Sequence, residues 1–218
     1  YYDQDMDRHH PFGEKMFTKG YFTDREKRRL VTVFAVLGAS CELPQMAYIY
    51  FAHPDNMLDL LAFIILILTG FILATSYSLP PARTRRRLLG ATYTLMLVYP
   101  IGFLRSALLF GGWEFISGNA ALVLGICGYL YLDHGITTVS LKDIPDAFAD
   151  EKGGVRNVPL LWGFKPALYL SMVFLAATMA LGALYVLIGW LRWWFLLTYI
   201  GVGCYICLYR DMDRWIER

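Results

Sequence analysis

The sequence predicts an all-α fold, a multi-pass bundle of transmembrane helices, and three observations predict it. Hydrophobic residues make up 57% of the 218-residue chain and aromatic ones 16%, above the ~45–50% apolar share of soluble domains. The apolar residues gather in six stretches, each near the ~20 residues that a helix needs to cross a ~30 Å hydrocarbon core. The links between the stretches alternate between basic and nearly base-free, as the positive-inside rule demands of consecutive spans.

The expected spans are residues 30–51, 57–77, 88–110, 120–138, 166–188 and 191–208. DREKRR (24–29) introduces the first, and ARTRRR (82–87) separates the second from the third. LKDIPDAFADEKGGVR (141–156) separates the fourth from the fifth, and YRDMDRWIER (209–218) follows the sixth. The other links, AHPDN, GGWEFISGN and GWLRWW, hold few bases. The net charge of +2 says little, but its distribution puts every basic link on one side, the cytoplasmic or equivalent one. Cys41, Cys127, Cys204 and Cys207 lie in apolar surroundings and do not form the framework of a secreted disulfide domain. The CxxC spacing of Cys204 and Cys207 falls one turn apart in an apolar helix and reads as packing. No signal peptide, low-complexity tract or soluble domain is recognisable, so residues 1–218 are expected to be one transmembrane domain. Residue 1 is tyrosine and YYDQDMDRHHP starts mid-pattern, which leads us to expect a domain truncated at both ends.

Acidic residues cluster at two places on the basic side. Asp143, Asp146 and Asp150 stand at i, i+3 and i+7, within about a 60° arc of a helix with 3.6 residues per turn. Asp3 and Asp7, at i and i+4, also share a face. Carboxylates so placed repel one another unless a positive charge sits between them. Hard oxygen ligands without His or Cys companions favour Mg²⁺, which usually bridges carboxylates to phosphate oxygens. A solvated acidic loop is the ordinary alternative. Spacing therefore reaches as far as a membrane protein with a metal-phosphate site.

Ionisable residues inside spans are expensive and are usually functional or paired. Asp133 and His134 lie ten residues before the acidic run, while Glu42 and Arg105 lie within the first and third spans. Snorkelling explains single charges near helix ends. Asp133 and Glu42 are the candidates for an acceptor-facing role.

Three motifs carry a resemblance. LKDIPDAFADEKGGVRNVPLLWG (141–163) resembles the second aspartate-rich motif of the UbiA superfamily of intramembrane prenyltransferases, a DxxDxxxD run followed by a glycine and a TLP-xx-LG tail. In this chain the tail reads Asn157, Val158, Pro159 and then residues 161–163, and Ala149 stands where the family usually has glycine. YSLPPARTRRR (77–87) is similar to the family's YS-x-PP-x-R-x-KR loop. YYDQDMDRHHP resembles the later part of its NDxxDxxxD motif. Two residues beyond the family's spacing separate Pro11 from Gly20, which makes Lys15 the stand-in for an arginine.

The resemblance implies a bundle of about nine helices, of which about six are in this piece. It also implies transfer of a prenyl chain from an isoprenyl diphosphate to a hydrophobic, aromatic or lipid-linked acceptor in the bilayer; no nucleic-acid partner is expected. Asp3, Asp7, Asp143, Asp146 and Asp150 would hold Mg²⁺. Lys142, Arg83, Tyr77 and Lys15 would bind the diphosphate, with Asp143, Asp146 and Lys142 closest to the chemistry. Arg86 and Arg87 read as topology determinants instead. KDIPD and YSLPP look closer to the homogentisate, chlorophyll and archaeal ether-lipid branches than to the menaquinone branch. Two rival classes fit less well. A CDP-alcohol phosphotransferase needs a DG-xx-AR run, which is absent, and a cation transporter places its acids at mid-membrane, whereas these flank spans.

Overall fold

The computed structural model describes residues 20–54, 56–78, 82–84, 87, 90–136, 138–139, 143–152 and 154–210. Asp3, Asp7, Lys15 and Lys142 lie outside the described residues, as does the side chain of Asp146. Among the described residues there are helices and no strands.

Helix α1 (Asp24–Ala52) starts at a capping box. The Thr23 hydroxyl accepts from Glu26 N at 3.3 Å, and the Glu26 carboxylate accepts from Thr23 N at 2.8 Å, so two donors that a helix start leaves over are satisfied. A short turn leads to α2 (Met57–Ser78), followed by α3 (Gly90–Gly118), α4 (Ala120–Ile136) and the nine-residue α5 (Ile144–Lys152). The chain continues through α6 (Val158–Trp162), α7 (Phe164–Leu187), a 3₁₀ turn (Trp193–Leu196) and α8 (Leu197–Arg210).

Among the described residues four helices, α1, α2, α3 and α7, are long and apolar enough to cross a membrane. Two of the six expected spans come out shorter. The stretch 120–138 stops being α-helical at Ile136, so α4 has 17 residues and a rise of about 25 Å. The stretch 191–208 divides into the 3₁₀ turn and the 14-residue α8, which together rise about 29 Å. Period and hydropathy register apolar residues but not the change of helix type within a run.

Helix α3 breaks at Gly112, whose φ of 66° is left-handed. Breaking the ladder releases the Trp113 N–H, and Asp59, buried at the start of α2, accepts it at 2.8 Å through Oδ1. Asn56 Nδ2 donates to the same oxygen at 2.9 Å, and His53 Nδ1 lies 3.0 Å from Oδ2. A Cβ at position 112 would come within 2.7 Å of that carboxylate. Only glycine combines the dihedral with the close approach.

The helices pack in the order α1, α2, α3, α4, α7, α8, with short links returning the chain between neighbours. Contacts at small residues confirm the alternation. Gly125 in α4 lies against Tyr185 and Trp190, while Gly135 lies against Met96 and Phe174. Gly182 in α7 lies against Leu196, and Gly203 in α8 against Leu175. One core joins α1, α2 and α3 through Ile49, Phe63 and Leu108. A second joins α4 to α8 through Tyr129, Ile136, Val158, Leu168, Leu175 and Tyr199, and includes Ile144 at the start of α5. This arrangement brings the end of α2, the start of α3, the end of α4 and all of α5 and α6 to one end of the bundle.

Candidate functional site

The acidic run folds as expected from its spacing, but its charged face points inward. Asp143 precedes α5 and is 1% exposed; Asp150 near its end is 2% exposed. Ala147, on the same helical face, is equally buried. A solvated loop would have turned these carboxylates outward. Ile144 anchors the helix in the second core.

The chain then reverses. Gly154, with φ of 68°, follows α5; its N–H reaches Glu151 O at 3.1 Å, and Val155 N reaches Asp150 O at 2.9 Å. This is the paired 5→2 and 6→1 bonding of a Schellman motif. The reversal carries Asn157, 4% exposed, back to Asp150. Asn157 Nδ2 donates to Asp150 Oδ2 at 2.7 Å, while its Oδ1 accepts from Leu160 N at 3.1 Å and caps α6. One amide thus ties the end of the acidic helix to the start of the next. In the sequence Asn157 stands out only as a motif position; its cap of α6 and its bond to Asp150 are visible only in three dimensions.

At the same end lies the loop between α2 and α3. Tyr77 is half-buried in the last turn of α2. Arg83 has φ of 37°, the positive-φ position among the described residues that is not a glycine. Such a backbone costs on the order of 1–3 kcal/mol and persists where the surroundings impose it, often at functional sites. The loop is pinned to α3, since Thr94 Oγ1 lies 3.0 Å from Thr84 Oγ1 and 2.7 Å from Gly90 O.

The two acceptor-side candidates sit in separate networks. Asp133 in α4 accepts from Tyr199 OH at 2.8 Å, and Tyr129 OH donates to Tyr199 OH at 2.6 Å. His134 packs its ring against Tyr99, centroids 4.3 Å apart. Glu42 in α1 pairs with Arg105 in α3, which also approaches Gln45 Oε1 at 3.4 Å and lies over the Phe63 ring at 5.3 Å. Pairing across helices is how a membrane interior tolerates such charges. Neither Tyr129 and Tyr199 nor His53 and Asp59 emerged from the sequence, because their partners lie 50 or more positions away or across a turn with no recognisable pattern.

Among the described residues no three His, Cys, Asp or Glu side chains form a metal ligand group. The structure therefore brings Asp143 and Asp150 into one buried face with the backbone of Asp146 between them, and Arg83 and Tyr77 to the same end of the bundle. The acidic run, the SLPPAR loop and the YYDQDMD segment stand in one order along a helical membrane chain, and the UbiA prenyltransferase family profile matches residues 1–215.

The chain belongs to the UbiA prenyltransferase family.

Within it, the digeranylgeranylglyceryl phosphate synthases of two strains of Halobacterium salinarum are similar to this chain, each 31% identical over 90 residues. That alignment covers 39% of this chain and 33% of each relative, so the chain spans about a third of the length of the curated relatives it matches. No solved structure matches it. Four apolar helices in a UbiA-family chain make this an integral membrane protein.

Proposed function

We infer that this protein transfers a prenyl group from an isoprenyl diphosphate to a hydrophobic acceptor within the membrane, with Mg²⁺ as cofactor. The observation that carries this reading is the inward acidic face of α5, with Asp143 and Asp150 both buried in a chain of the UbiA family. The donors are all carboxylate oxygens, which fit a hard cation such as Mg²⁺ rather than a softer metal. Asp143 just before α5, Asp146 and Asp150 within it, and Asp3 and Asp7 from the first motif would hold it. When bound, the metal neutralises charge on the departing diphosphate.

The reaction breaks the bond between the allylic carbon and the diphosphate oxygen, and the electron pair leaves with the diphosphate. The acceptor nucleophile then bonds to the allylic carbon and gives up its proton. Arg83, Lys142 and Lys15 would donate to the phosphate oxygens, where cationic clamps stabilise charge as it develops, and Tyr77 would add a hydroxyl. Water must be kept from the allylic cation, which suits a site formed at the end of an apolar bundle. Asp133, held by Tyr199, is our candidate to orient or deprotonate the acceptor. Glu42, paired with Arg105, would shape the acceptor side of the same bundle. The relatives' name makes a lipid-linked acceptor the first to test. The basic links support placing the diphosphate site on the cytoplasmic or equivalent face.

The test supplies purified full-length protein with radiolabelled allylic diphosphates of several chain lengths, Mg²⁺, and a panel of phenolic and lipid-linked acceptors. A prenylated product dependent on Mg²⁺ is expected with at least one acceptor; none across the panel sinks the reading.

A further inference from the structure

We propose that Asn157 is a positioning residue for the acidic site: its amide fixes the orientation of the Asp150 carboxylate for a divalent cation while the same amide caps α6. The proposal rests on the metal-site reading above and deepens it. Both side chains are almost fully buried, at 4% and 2% exposure, so neither swings freely. Asn157 Nδ2 donates to Asp150 Oδ2 at 2.7 Å, and Oδ1 accepts from Leu160 N at 3.1 Å. The amide is therefore oriented by its acceptor end, which commits its donor end to the carboxylate.

The backbone makes this geometry unavoidable. Asp150 supplies the carbonyl that closes the Schellman turn through Val155 N at 2.9 Å, and Gly154 turns the chain so that the cap of α6 faces the end of α5. The Asn157 donation restricts the plane in which the Asp150 carboxylate presents itself to a ligand. Groups that orient a metal ligand in this way typically change metal affinity ten- to a hundredfold when removed. A cap alone would have no such effect, because its bonds stay within α6.

Asn157→Ser separates the two roles, since serine retains the N-cap acceptor and loses the arm that reaches Asp150. Mn²⁺ binding to full-length protein in detergent, with inorganic pyrophosphate present, is read by electron paramagnetic resonance without turnover. We expect Asn157→Ser to weaken Mn²⁺ binding by about tenfold or more and to lower the unfolding temperature by less than Asn157→Ala, which loses the cap as well as the donor to Asp150. The comparison is repeated in an Asp150→Asn background, where the Asn157→Ser effect on Mn²⁺ should vanish. Wild-type affinity in Asn157→Ser, or an equal effect with and without Asp150, overturns the positioning role. Failure of the wild-type protein to bind Mn²⁺ overturns the metal reading and the proposal with it.

Discussion

Tyr199 in α8 donates its hydroxyl to Asp133 in α4 at 2.8 Å, which ties the last described helix to the helix leading into the acidic site. Tyr129 donates to the same Tyr199 oxygen at 2.6 Å, so removing one hydroxyl affects both partners. Tyr199→Phe should cost about 1 kcal/mol of stability, up to ~3 if Asp133 is left unsatisfied. If Asp133 faces the acceptor, the same variant should raise the acceptor KM and leave the diphosphate KM unchanged. Unaltered KM for both substrates would confine the triad to holding α8 on α4.

The break in α3 should be intolerant of any side chain. Gly112→Ala must place Cβ within 2.7 Å of Asp59 Oδ2 at a φ of 66°. The backbone at φ 66° and ψ −178° is essentially confined to glycine and alone costs roughly 1–3 kcal/mol, and displacing Asp59 from Trp113 N adds about 1–3 kcal/mol for a buried donor left unpaired. Thermal unfolding in detergent measures the sum; a variant as stable as wild type would contradict this account of the kink.

Gly154 offers a controlled comparison. Its φ of 68° is also left-handed, but a Cβ there would meet no atom within 4 Å. Gly154→Ala should therefore cost only the backbone strain, about 1 kcal/mol, and destabilise less than Gly112→Ala by the same measurement.

The pairing of Glu42 with Arg105 predicts non-additivity. Losing one partner strands a charge among apolar side chains, at about 3 kcal/mol. Arg105→Met and Glu42→Leu should each destabilise by about that amount, while the double variant should recover most of it. If the double variant loses the sum of the two, the residues act independently.

How much of this was legible beforehand differs between the fold and the site. The apolar runs of α2 and α7 are long, so hydropathy locates them within a few residues, while α1 begins six residues before its expected span, at the Thr23 capping box. The expected spans 120–138 and 191–208 run past the end of α4 and begin before the start of α8, because hydropathy does not register that Thr138 and Trp193 leave α-helical geometry. The one-face spacing of Asp143 and Asp150 survives because helical periodicity is a local property. Whether that face points inward depends on Ile144 joining the core built by α4, α6 and α7, which no local pattern encodes. Asn157 reaches Asp150 only through the Gly154 reversal, so the pattern DxxDxxxD displays the carboxylates without displaying what holds them.

The most direct measurement compares Mg²⁺-dependent release of diphosphate from an allylic diphosphate by the full-length protein and by its Asp143→Ala variant, both confirmed to be inserted in membranes. The account predicts release by the wild type and a loss of about a hundredfold or more in the variant. Equal release by the two would contradict it.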